Sequence, residues 1–152
     1  MKTTKHFAVA ALLVLGATLG ASTPVRADGT GDLTPTGAEP NAIGQYTLTH
    51  VKFINGGGFN YDPGGYELYR GRLTVTCQGL TPGATYATSA GTFKAARDGT
   101  GKATASQVNF VYRFEWTWWG AIVIIPPTVS VARVNPDGSM TVVLQAQLPY
   151  RP

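Results

Sequence analysis

The sequence predicts an all-β domain of antiparallel strands. The expected form is a sandwich of about seven or eight strands, with a small β-barrel or jelly roll as the alternative. Three observations carry this. Short apolar runs alternate with a period of two, which sends successive side chains to opposite faces. Glycine and proline, 19 and 10 of the 152 residues, punctuate these runs at regular spacing. No stretch beyond the leader has the periodicity of an amphipathic helix.

The leader comes first. Lys2 and Lys5 precede an apolar run over residues 7–21, and Val25-Arg26-Ala27 offers small apolar residues at the two positions that signal peptidase reads. Residues 1–27 therefore read as a secretory signal peptide cleaved after Ala27. The run falls short of the roughly 20 apolar residues of a membrane span, and no cysteine follows it to carry a lipid. The expected location is secreted or periplasmic, with no transmembrane span in the remainder. Three of the twelve basic residues lie in the leader and none of the eight acids does, so the rest carries a net charge of only +1. A nucleic-acid partner, which needs a clustered basic face, is not expected.

Residues 28–42 are rich in Gly, Thr, Pro and Asp and read as a flexible arm. A single domain over residues 43–152 follows. Residues 45–54 form a strand with Thr47, Thr49, Val51 and Phe53 on one side, broken by Asn55-Gly56-Gly57-Gly58. A glycine-rich loop over 56–65 carries Phe59 and Tyr61. Residues 66–77 form one strand, or two pieces kinked at Gly71. Cys77 lies in phase with Leu73 and Val75 and reads as a small buried hydrophobe. It is the one cysteine, so no internal disulfide forms. A turn at 79–83 leads to a short strand over 84–89. Residues 92–97 and 102–110 flank Asp98-Gly99-Thr100-Gly101, a strong hairpin signal. Residues 128–134 and 139–148 are joined by Asn135-Pro136-Asp137-Gly138. In the last run Met140, Val142, Leu144, Ala146 and Leu148 share a face, and its flatness makes it a candidate edge for self-association.

The run Leu80-Thr81-Pro82-Gly83-Ala84-Thr85-Tyr86 resembles the L-x-P-x-x-x-Y tyrosine corner of fibronectin type III and related immunoglobulin-like domains. The resemblance covers residues 73–110. It implies an immunoglobulin-like antiparallel β-sandwich in which the Tyr86 hydroxyl bonds back to nearby backbone. It implies no activity, since such domains mostly bind, space or present other things. It concerns class and not strand order: in the family two strands follow the corner, and here about four do.

The stretch over residues 108–125 stands apart. Val108, Phe110, Tyr112, Phe114, Trp116 and Trp118 fall on one side, and Asn109, Val111, Arg113, Glu115, Thr117 and Trp119 on the other. All three tryptophans lie here. Gly120 offers a turn, Ile122 to Ile125 an antiparallel return, and Pro126-Pro127 a stop. One reading is an aromatic hairpin arm whose contact surface is Trp116, Trp118, Trp119, Ile122 and Ile124, aided by Phe59 and Tyr61. Its partner would be a protein, a glycan or a lipid surface. The other reading is that Trp116, Trp118, Ile122 and Ile124 fill the core, with only Trp119 hard to bury at the turn.

Catalytic chemistry is sparse. The one histidine beyond the leader, His50, sits mid-strand with no nucleophile motif beside it. One histidine and one cysteine do not make a zinc site. Asn60 and Asp62 fall short of the acid count of a calcium loop. No catalytic residue, cofactor or metal is expected. The sequence points first to a secreted, non-catalytic protein with a binding or an envelope or extracellular structural role. Two alternatives stand beside it: a membrane-surface-binding protein, and a small secreted glycoside hydrolase pairing Glu115 with Glu67 or Asp62 across an aromatic cleft. An ion pair with Arg113, two residues from Glu115 on the same face, accounts for Glu115 more simply.

Overall fold

The computed structural model describes residues 28–58 and 64–150. The leader and Phe59, Asn60, Tyr61 and Asp62 lie outside the described residues. Nine strands follow one another: β1 (Gly29–Pro35), β2 (Ile43–Gly57), β3 (Gly64–Gln78), β4 (Thr85–Thr88), β5 (Gly91–Lys94), β6 (Gly101–Trp116), β7 (Ile122–Ile125), β8 (Thr128–Val134) and β9 (Met140–Gln147). Among the described residues there is no helix, and so none long and apolar enough to cross a membrane. The strands pair antiparallel in the order β5-β4-β8-β9-β1-β2-β3-β6-β7, and the sheet curls as a half-barrel.

β1 is the correction to the expected flexible arm, and it raises the strand count to nine. Its first part, Gly29 to Leu33, pairs with β2, and Thr34 and Pro35 pair with β9. A strand held by backbone pairing, first to one neighbour and then to another, needs few apolar side chains, which is why Gly, Thr and Pro concealed it. Leu33 alone turns fully inward. β1 changes partner between Leu33 and Thr34, and so joins β2, β3, β6 and β7 to β9, β8, β4 and β5 in the one nine-stranded order.

Three long strands, β2, β3 and β6, bend together along one line. β3 keeps its phase throughout, with Tyr69, Gly71, Leu73, Val75 and Cys77 inward. Its neighbours do not. In β2 the buried side passes from Tyr46 and Leu48 to Val51 and Phe53, so Thr47 and Thr49 do not share a face with Val51 and Phe53 as alternation alone predicts. A bulge between Thr49 and Lys52 makes the switch, and His50 takes the left-handed conformation at φ 55°. In β6 the register shifts between the partners of Gly71 and Leu73, and the inward side passes from Ala105 to Val108. Gly71 sits at the crossing. A Cβ there would lie 3.1 Å from both Thr49 O and Val51 Cγ2, so the bulge packs on a residue without a side chain.

Beyond the bend an aromatic cluster fills the concave side. Tyr69 meets Phe53 and Tyr112 edge to face, and Tyr150 packs against Tyr112 and Phe114. The aliphatic core of Leu48, Leu73, Val75, Val129, Val131 and Leu144 continues it behind. The corner at Tyr86 is formed: its hydroxyl accepts from Thr81 N–H at 3.0 Å and donates to Glu39. Residues 139–148, expected as an edge, lie inside the sheet, because β9 pairs with β8 and with β1. A further bulge there brings Val143 inward and leaves Met140 and Val142 exposed.

Candidate functional site: the tryptophan hairpin

β6 carries alternating aromatics out of the core and past its edge. Phe110, Tyr112 and Phe114 are buried, whereas Trp116, in the same phase, is 49% exposed. Among the described residues β3 pairs with β6 as far as Gly64↔Glu115, and Trp116 is paired by β7 alone, in the register Phe114↔Ile124 and Trp116↔Ile122. Trp118 is 93% and Trp119 64% exposed, and their rings meet edge to face with centroids 5.2 Å apart. All four residues of β7 are exposed. The core reading of Trp116, Trp118, Ile122 and Ile124 does not hold: Trp118 is almost wholly exposed and the other three partly so, as is Trp119.

The structure adds Val123 and Ile125, which share the opposite face of the hairpin with Glu115 and Arg113. β7 thus presents apolar side chains on both faces, and on one of them they stand beside Glu115 and Arg113. Alternation hid this, since it predicts one apolar face per strand and β7 is exposed on both. The signal in the sequence was the lack of any ionisable residue from Trp116 to Ala132.

The turn itself has two counterparts in the same molecule. Thr117 N–H donates to Ala121 O and Gly120 N–H to Thr117 O, with Gly120 at φ 84°. Ala96 to Thr100 and Asn135 to Ser139 repeat this pattern, with Gly99 and Gly138 at φ 77° and 82°. Glycine is what such a three-residue hairpin loop requires at its left-handed position. The other loop residues differ. In the two counterparts an aspartate precedes the glycine. Asp98 accepts from Thr100 N–H and Oγ1, and Asp137 from Ser139 N–H and Oγ. These bonds, the hydroxyl one first, hold both carboxyls below the usual carboxylate range. In the tip, Trp119 stands in the aspartate's place and Ala121 in that of the serine or threonine.

Of the paired carboxylates of the hydrolase alternative, Glu115 and Glu67 do not converge, and Asp62 lies outside the described residues. Glu67 is on the concave side, accepting from Tyr69 Oη at 2.8 Å and Tyr150 Oη at 3.1 Å. Glu115 is on the opposite face, in phase with Arg113 and Val111. Nor do Arg113 and Glu115 form the expected ion pair; among the described residues the ion pair is Arg133–Glu39 at 3.1 Å. His50 is exposed on its bulge. At the far end of β6 a cleft of about 820 Å³ is bordered by Lys94 and Lys102, with Asp32, which Gln45 Nε2 bonds at 2.9 Å. The buried Cys77 at its floor has its thiol pushed up to about 11 by burial.

No known family, curated protein or solved structure matches this chain.

Proposed function

We propose that the protein is an exported, non-catalytic binding module of immunoglobulin-like sandwich type, and that the tryptophan hairpin is its contact surface. One observation carries the reading. The same loop geometry is built three times, and only at the tip do tryptophan and alanine replace the aspartate and hydroxyl that brace it elsewhere. The turn does not need indoles, and exposing them to water gains nothing for folding. Their apolar body and polar N–H suit a surface that is itself mixed. With the aliphatic residues of β7 they form a group of neighbouring exposed apolar side chains, the kind of patch that marks an interaction site. The sequence supports export through its signal-like leader. The corner at Tyr86 supports the sandwich class.

Tryptophan emission tests this, because every indole lies in the hairpin. The expected result is a red-shifted emission readily quenched by acrylamide. It should move to the blue when a partner covers the tip, and Trp119→Ala should weaken that response. Phosphatidylcholine vesicles and soluble oligosaccharides are the first probes. A blue-shifted, poorly quenched emission from the protein alone would sink the reading.

A further inference from the structure

β7 ends the sheet, and among the described residues nothing pairs with its outer edge. The ladder fixes which groups it leaves there. Thr117 N–H donates to Ala121 O at 2.8 Å, so this is a hydrogen-bonded pair. Bonded and non-bonded pairs alternate along an antiparallel ladder. In the register Glu115↔Val123 and Phe114↔Ile124, Val123 and Ile125 therefore turn their N–H and C=O toward β6. Ile122 and Ile124 turn theirs outward.

Proteins usually blunt such an edge by keeping it very short, or with lysine, an inward charge, a bulge or a proline. β7 is short, at four residues, but has none of the other devices along its length. No ionisable group lies between Trp116 and Ala132, and its register with β6 is regular. Proline enters only at Pro126, past the end of the strand.

We infer that this edge is completed by β7 of a second copy, paired antiparallel about a two-fold axis through Val123. The inference rests on the reading of the hairpin as a contact surface and names its partner. The register follows from the backbone. Outward groups must meet outward groups, so Ile122 faces Ile124 of the second copy and Ile124 faces its Ile122, each pair exchanging both of its bonds. An axis through Ile124 would set Ile122 against Pro126, which has no N–H to give. In the chosen register the central pairs, Ile122 with Ile124 and Val123 with Val123, are β-branched on β-branched, Ile125 faces Ala121, and no charge is opposed. A two-fold contact of this kind is closed, since each copy uses the same patch. A bilayer is the weaker match for the edge, because hydrocarbon leaves outward N–H and C=O groups unsatisfied. Trp118 and Trp119 of the two copies then lie at opposite ends of the joined edge.

Sedimentation velocity of the purified protein over a dilution series is the test, with two variants. Ile124→Pro removes an outward N–H and leaves the bonds to β6 intact. It should raise the dimer dissociation constant at least about tenfold, or roughly 1.4 kcal/mol, with the near-ultraviolet tyrosine signal unchanged. Val123→Cys should cross-link under mild oxidation. Its Cα lies about 4.5 Å from its symmetry mate in a non-bonded pair, within the disulfide range of about 4.4–6.8 Å. Ile125→Cys, about 13 Å from its mate at roughly 3.3 Å per residue, should not. A monomer at every concentration overturns the inference, and so does a dimer indifferent to Ile124→Pro. If that monomer still answers to vesicles or oligosaccharides through Trp119, self-pairing alone has failed. If it answers to neither, the contact-surface reading has failed with it.

Discussion

Glu39 is the residue whose removal should matter most for its size. It is 7% exposed, and its carboxylate accepts from Tyr86 Oη, Thr81 Oγ1, Thr81 N–H and Arg133 Nη1. The cluster ties the turn after β1 to the corner and to β8. Tyr86→Phe deletes the hydroxyl that serves both Thr81 and Glu39 and leaves a buried carboxylate short of a donor. We expect a loss of about 1–3 kcal/mol in urea unfolding. Cys77 sets a pH limit. Burial raises its thiol from 9.0 to about 11, so the folded protein holds that proton more tightly than the unfolded chain does. The stability this provides is complete below pH 9 and is lost as pH climbs to about 11, a fall of about 2–3 kcal/mol. Cys77→Ala should flatten the urea midpoint against pH over that window. The residual slope belongs partly to Tyr86, whose hydroxyl is raised from 10.0 by burial and then by Glu39. Of these residues, Tyr86 was legible from its spacing to Leu80 and Pro82, and Cys77 from its phase. Glu39 was not, because an acid among Gly, Thr and Pro reads as solvated and its partner Arg133 lies 94 positions away.

Among the elements, the three matched turns separate stability from contact. Trp119→Asp with Ala121→Thr would give the tip the aspartate and threonine of the loop over residues 96–100. We expect unfolding within about 0.5 kcal/mol of the parent, since the change is on the surface, with the aspartate now bracing the turn. The emission response to any partner should be lost. A drop of several kcal/mol would instead assign the indoles a structural task. Strands β2 to β9 were legible as alternating runs between glycines and prolines, and the tip as an aromatic run. Their bulges were not. One inserted residue at His50, at Ser106-Gln107 or at Val143 reverses which side chains turn inward, and it leaves no mark in composition. For His50 the cost is a left-handed backbone in a residue other than glycine, of the order of 1–2 kcal/mol. Only the exposure of Trp116 decided between core and surface, since its phase matches that of the buried Phe114.

At the scale of the molecule, the sheet order was the least legible property, because short antiparallel strands of similar composition fit many orders. The decisive strand is the one that composition concealed. β1 is the seam: β2, β3, β6 and β7 lie to one side of it, β9, β8, β4 and β5 to the other. We expect a chain lacking residues 140–147 to show no cooperative urea transition, although β2, β3 and β6 would remain. Deletion of β9 strips the seam of one flank and removes the lid of Leu144 and Val143 from the core. Read as a sequence of events, the same arrangement sets a clock. Thr34 must wait for Gln145, more than a hundred residues later in synthesis, before the seam can close. Long-range pairings of this kind make folding slow, in the range of milliseconds to seconds. The domain is therefore committed late, with the seam open until β9 arrives to close it.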